Sequence, residues 1–163
     1  SVRSYTGESI PEERLTAVIQ AGLLSASGRG ICPWELIVIR DKDKLKRMAE
    51  CRVGAAAMLA GADAAIVVVA DEAATAVWVE DCSIVMSNMH LMADSLGLGS
   101  CWIQGRLRQA GDGATTEEYL RQLLGYPADY RLEAILSLGM PASHRTARAL
   151  SELPMDKVHQ EHF

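Results

Sequence analysis

From position 77 to position 105 the chain reads VWVEDCSIVMSNMHLMADSLGLGSCWIQG. Polar residues in its first part recur as pairs seven positions apart: Glu80 and Asp81, Ser87 and Asn88, Asp94 and Ser95. That spacing keeps one stripe of a helix polar, while Val, Ile, Met, Leu, Cys, Ala and Trp fill most of the remaining girth. The pattern predicts a long helix buried on several sides, against its own sheet and against a second subunit. On this reading Asp81 and Asp94 belong to a solvated stripe or to the helix ends, not to an acid–base pair. Gly97 and Gly99 predict the stop, where a left-handed residue is wanted. Ser100-Cys101-Trp102-Ile103 then predicts a strand that ends at Gln104-Gly105.

The same periodicities place the other elements. Pro11, Glu12 and Glu13 open a helix with Ser9 as its cap, and Leu15, Val18, Ile19, Gly22 and Leu23 give it an apolar face. Residues 25–34 are turn-rich and suited to holding a ligand. Residues 35–40 predict a strand, 44–51 a helix, and the alanine-rich 53–60 a further helix. The unbroken apolar run within 63–70 predicts a central strand covered on both faces. After a polar loop at 106–115, residues 116–125 predict a short helix with a Thr116 cap, an acidic first turn and a glycine stop. Residues 131–139 predict the last strand. The stretch 142–163 has too little apolar surface to fold alone and predicts an extended arm lying on a partner subunit. Helices do not separate every pair of strands, so a layered sheet-and-helix fold is expected rather than a parallel doubly wound one.

Bulk composition narrows the function. A chain of 163 residues suits one domain, here 1–163, with a real core. Its net charge of −5 gives no general attraction to nucleic acid or anionic membrane. One Phe leaves little for base stacking. No apolar run reaches membrane-spanning length, and SVRSYTGES holds no secretory core. Cys32, Cys51, Cys82 and Cys101 form no Cys-x-x-Cys pair, which suits buried thiols in a reducing cytoplasm. His159 and His162 lack further ligands for a metal, and none is expected. Neither a Gly-x-Ser-x-Gly elbow nor a phosphate-binding Gly-x-x-x-x-Gly-Lys is present. What remains is three separated basic, hydroxyl-bearing pieces: Ser1 with Arg3, residues 25–29, and Arg145 with Arg148. Arginine forks, hydroxyls and backbone N–H groups together suit a phosphorylated cofactor held from several sides.

Five segments in register carry a family resemblance: Ser1-Val2-Arg3-Ser4-Tyr5, SASGRGICPW at 25–34, Trp78-Val79-Glu80-Asp81-Cys82-Ser83-Ile84, LGLGSCWI at 96–103, and EYLRQLLGYP at 118–127 with the Leu138-Gly139-Met140-Pro141 ending. The chain resembles the nitroreductase-like FMN-dependent oxidoreductases over nearly its whole length. The resemblance implies an α+β fold, a central mixed or antiparallel sheet flanked by helices, and a homodimer that exchanges its C-terminal arms. It implies that Ser1 and Arg3 contact the FMN phosphate and ring edge. Ser25, Ser27 and Arg29 would come from the partner subunit, and Arg145 and Arg148 would pair with the phosphate. Cys101 and Trp102 lead into Gln104 and Gly105, whose backbone N–H groups would face flavin N5 and O4. NADH or NADPH would reduce the flavin, and a small acceptor such as a nitroaromatic or quinone would reoxidise it, so no catalytic side chain is expected.

Two departures stand out. Gly30 replaces an amide-bearing Asn of the family pattern, and Cys32 replaces a Gln. Each lost neutral hydrogen bond weakens flavin binding by about 0.5–1.5 kcal/mol, less than an intact phosphate clamp can absorb. Cys32 reads as a small space-filling residue, with redox activity as the rival reading. The same departures motivate the alternatives: a non-catalytic flavin- or small-molecule-binding relative, or a specialised dehalogenase or flavin-fragmenting one.

Overall fold

The computed structural model of the protein describes residues 1–143 and 146–163. Arg145, one of the expected phosphate ligands, lies outside the described residues. Four strands form one sheet: β1 (Trp34–Ile39), β2 (Ala64–Asp71), β3 (Gly99–Gln104) and β4 (Tyr130–Gly139), in the order β1-β2-β4-β3 with every pairing antiparallel. The continuous apolar run of β2 explains its central place, since residues 64–70 are all buried. Ala64, Ile66, Val68 and Ala70 pack toward α1 (Glu12–Leu23) and α3 (Trp78–Ser95), while Ala65, Val67 and Val69 pack toward α2 (Lys42–Met48) and α4 (Thr116–Leu124). The result is a three-layer α+β sandwich whose sheet is antiparallel throughout.

The pairing of β2 with β4 slips once. Val68 faces Ala134 but Val69 faces Leu132, so Glu133 has no partner on β2. Glu133 is thus the extra residue of a β-bulge, a device that bends a strand and re-aims a side chain.

Several local expectations change. Residues 53–60 are not an α-helix. Gly54 is left-handed at φ +72°, the Val53 amide donates to the Gln109 carbonyl at 3.0 Å, and only a short 3-10 helix forms at Ala57–Gly61. Alanine content favoured a helix locally, but the link to the 106–115 loop prevails. Ser9 does not cap α1; the Ile10 amide just ahead of it donates to the Asp63 carboxylate at 2.9 Å instead. The cap of α4 falls one residue earlier than expected, on Thr115. Its hydroxyl accepts from the Glu118 amide at 3.1 Å while the Glu118 carboxylate accepts from the Thr115 amide at 2.9 Å, and Gly125 ends the helix at φ +79°. Gly97 ends α3 as expected, at φ +73°.

The N-terminal segment lies across the end of the sheet where β3 begins and β4 ends. Val2 donates to the Ser100 carbonyl at 2.8 Å, Thr6 to Met140 at 2.9 Å, and Ala142 to Ser4 at 3.0 Å. Glycine is needed there. A Cβ on Gly99 would lie 2.8 Å from Val2 Cγ1, and one on Gly139 would lie 2.5 Å from the Tyr5 ring. Beyond residue 145 the tail is exposed, with Leu150, Met155, Val158 and Phe163 facing outward. Among the described residues no helix is long and apolar enough to cross a membrane.

Candidate functional site

The expected site residues collect at the two ends of β3. Ser1 and Arg3 stand exposed at its start. There the Ser100 hydroxyl lies 2.6 Å from His90 Nδ1 on α3, and a cavity of about 270 Å³ is lined by Ser1, Val2, His90, Leu91, Asp94 and Ser100 among others. Burial holds the His90 imidazole below its ordinary range.

Gln104 and Gly105 sit at the far end, and the bulge organises them. The Glu133 carbonyl accepts from the Gly105 amide at 3.1 Å, the Arg106 amide at 2.9 Å and Gln104 Nε2 at 3.3 Å. The Gly105 N–H is therefore already engaged within the chain. The glycine is required for another reason: a Cβ would meet buried Leu132 at 2.5 Å. Side chains continue the network. Trp102 Nε1 donates to Gln104 Oε1 at 2.9 Å, Gln104 Nε2 donates to Glu133 Oε1 at 3.2 Å, and Arg52 donates to the Gln104 carbonyl at 3.1 Å. Cys101 is buried and faces Ser137 across the ladder.

The loop at 25–33 docks on the first turns of α3. Gly28 donates its amide to Asp81 Oδ1 at 2.8 Å. Asp81 is only 2% exposed, so it is not part of a solvated stripe; the loop closes over it and removes it from water. Ser25 is also buried, with its hydroxyl donating to Ala21 and accepting from Asn88 at 2.9 Å. Ser27 accepts from the Cys32 amide at 2.9 Å. Arg29 and Cys32 adopt left-handed backbone at φ +56° and +51°. Such a conformation costs a non-glycine residue on the order of 1–3 kcal/mol. The glycine at position 30, φ +71°, needs no such compensation.

These pieces do not converge within one chain. A six-residue strand is about 17 Å long at 3.4 Å per residue, and α3 runs back alongside it. Ser1 and Arg3 lie near the later turns of α3, where His90 and Asp94 are. The 25–30 loop lies near its start, where Val77 and Asp81 are. Arg148 is exposed on the tail.

Glu133 and Arg52 were missed from the sequence, and Asp81 and Asn88 were read only as part of the polar spacing of α3. Only Glu133 left a local signal, as a carboxylate inside the apolar run Leu132-Glu133-Ala134-Ile135-Leu136. Its burial, with the like charge of Glu80, outweighs the Gln104 hydrogen bond and Arg106 and holds the carboxyl above its ordinary range. One of its oxygens has no partner among the described residues. A raised folded pKa means that stability is fully present below the unfolded value and falls as pH rises toward the folded one. Glu133→Gln keeps the acceptor for Gln104 but removes the ionisation. The variant should match the wild type in urea melts at pH 4 and exceed it at pH 8; a constant difference across that range would refute the assignment.

Comparison with known proteins places the arrangement. The model of the Nitroreductase family matches residues 1–52 and 51–140. A protein of Archaeoglobus fulgidus that bears the name NADH dehydrogenase/NAD(P)H nitroreductase is 34% identical over 99% of this chain and 92% of its own. An FMN-dependent nitroreductase from Clostridium difficile superposes with a TM-score of 0.96 at 40% identity, covering 100% of this chain and 95% of that one. A nitroreductase from Desulfovibrio desulfuricans, solved in complex with FMN, superposes at 0.74 with 25% identity, over 98% and 92% of the two chains.

Proposed function

The chain belongs to the nitroreductase family, and from that premise we propose that it is an FMN-dependent NAD(P)H oxidoreductase passing electrons to a small acceptor such as a nitroaromatic or quinone. The observation that carries this reading is the end-to-end likeness to the FMN-dependent enzyme of Clostridium difficile. The residues present fit the cofactor. Arg3, Arg29 and Arg148 are exposed and make no ion pair among the described residues, leaving guanidinium forks for a phosphate dianion. When bound, the flavin supplies the hydride chemistry.

The residues would then divide the work. Ser1, Arg3 and Arg148, with Arg145, would hold the phosphate end. Gln104 and Gly105, braced by Trp102 and Cys101, would border the ring with their positions fixed by the Glu133 carbonyl. Ser27 and Arg29 would arrive from a partner, with Ser25 anchoring their loop to Asn88. The separation of these pieces along α3 supports a homodimer. Two α3 helices packed antiparallel about a twofold axis would bring the start of one beside the end of the other, completing two sites at once. Val77, Ile84 and Leu91 form an apolar line on the outer face of α3, Leu91 being 64% exposed. An arm at 142–163 exchanged between single-domain protomers would cover further apolar surface. A cytoplasmic setting suits the four unpaired cysteines.

Protein purified with added FMN should be yellow and should bleach anaerobically with NADH or NADPH. Protein that stays colourless after FMN is supplied would overturn the reading. The loss of amides at Gly30 and Cys32 favours a second reading, a flavin binder without turnover, which predicts colour but no bleaching.

A further inference from the structure

The loop leaving Gly105 gathers positive charge to which the flavin reading assigns no ligand. Arg106 lies over Trp78, its guanidinium carbon 5.6 Å from the ring centroid. Arg108 is exposed and bonds only the Leu107 carbonyl, at 3.1 Å. Arg52 approaches from the turn after α2 and gives one N–H to the Gln104 carbonyl. None of the three makes an ion pair among the described residues, although the chain carries a net charge of −5.

Two cavities meet at this loop. One, of about 570 Å³, is lined by Arg52, Val53, Leu107, Arg108, Gln109 and Thr115, with no carboxylate. The other, of about 320 Å³, shares Leu107, Arg108 and Thr115 with the first and extends past Arg106 and Trp78 to Gly105. Glu72 and Glu117 also face the second cavity, but Arg131 pairs with both, at 2.7 and 3.1 Å, and Arg121 pairs with Glu117 at 2.9 Å. Leu107 stands between the cavities at φ +57° and 79% exposed. The path therefore runs from Gly105, at the expected reactive edge, to a carboxylate-free end bearing two guanidinium groups.

We propose that these joined cavities receive the phosphate-bearing half of the nicotinamide donor and that Arg52 and Arg108 hold the 2′-phosphate of NADPH, selecting it over NADH. The proposal rests on the flavin reading above, which puts the nicotinamide end at Gly105. A phosphate monoester carries about −1.5 to −2 charges near pH 7 and three strong acceptor oxygens, and arginine meets it with paired N–H donors. The diphosphate would pass Arg106. NADH shares everything but the monoester, so the guanidinium pair at the far end discriminates.

The test is calorimetric titration of the FMN-supplemented protein with adenosine 2′,5′-bisphosphate and with adenosine 5′-monophosphate, for the wild type and for Arg108→Gln. The wild type should bind the bisphosphate at least about ten-fold more tightly. The variant should lose about ten- to hundred-fold of that preference, the range for one charge-assisted contact, and its NADPH-to-NADH ratio of kcat/KM should fall with it. Equal affinity for the two nucleotides in the wild type, or an unchanged preference in the variant, would overturn the proposal. So would 4-nitrobenzoate binding that weakens in Arg108→Gln while bisphosphate binding is unchanged, which would assign the cleft to an anionic acceptor. Flavin colour reports separately on the reading beneath: a colourless protein that still prefers the bisphosphate keeps the cleft and loses the flavin, whereas a yellow protein without preference does the reverse.

Discussion

Leu91→Glu is expected to yield a folded monomer that no longer retains FMN. Leu91 lies on the outer face of α3, in line with Ile84 seven positions before it and Val77 before that, and all three are exposed apolar residues. Burying a leucine side chain is worth about 1.5–3 kcal/mol, and a twofold interface would lose that twice. A carboxylate carried into an apolar interface adds several kcal/mol per ion of desolvation. The fold should survive because the side chain points away from both cores. Sedimentation would report the monomer, and the visible flavin band after gel filtration would report the site. A variant that remains dimeric, or a verified monomer that stays yellow, would contradict the shared-site reading.

Asp63→Ala should give the largest loss of stability, about 3 kcal/mol, at the lower end of the range for removing one partner of a buried ion pair. Asp63 is 4% exposed. It accepts from the Ile10 amide at 2.9 Å, Arg40 at 2.9 Å and Lys42 at 2.8 Å, tying the entry to α1 to the start of α2 and the start of β2. The two cations keep some access to water, with side chains 36% and 54% exposed, which keeps the cost from rising further. Burial by itself would raise the Asp63 carboxyl, but the Lys42 and Ile10 hydrogen bonds and the Lys42 and Arg40 charges prevail and hold it below the ordinary carboxylate range. A depressed folded pKa gives stability that is present above the unfolded value, about 3.9, and is lost as pH falls through the folded one. The gap between wild type and variant in urea melts should thus be full at pH 7 and shrink below about pH 4. A gap that holds undiminished at the lowest pH where the protein still folds would show that packing, not charge, sets it.

What the sequence disclosed was what depends on neighbours along the chain. The seven-residue polar spacing and the Gly97 stop define α3 and β3 because helix periodicity and a left-handed terminus are local. The apolar run of β2 announced a strand covered on both faces for the same reason. Asp81 stands in the first turn of α3, as one of its two expected places, but its burial was not legible: its partner, Gly28, is 53 positions away, and nothing in the helix pattern marks a loop that folds back over it. Residues 53–60 were misread because helix propensity is local while the bond from Val53 to Gln109 is not. The bulge at Glu133 depends on how β4 pairs with β2, which no single strand contains. The candidate site shows the same division. Family motifs named Arg3, Arg29, Gln104 and Gly105, but their distribution between the two ends of α3 emerges only once the sheet is assembled.

The bulge has a consequence of phase. Leu132 packs toward α4 together with Ile135, whereas Ala134, Leu136 and Leu138 pack toward α1 and α3. In an unbroken strand, the even-numbered positions 132 to 138 would share one face. The extra residue therefore keeps the two halves of β4 out of step by one, and each half is written for its own parity. Deleting residue 133 would make Leu132 and Ala134 neighbours on opposite faces, as regular alternation requires. Both cores would keep their residues, while the common acceptor that holds Gln104 and Gly105 would vanish.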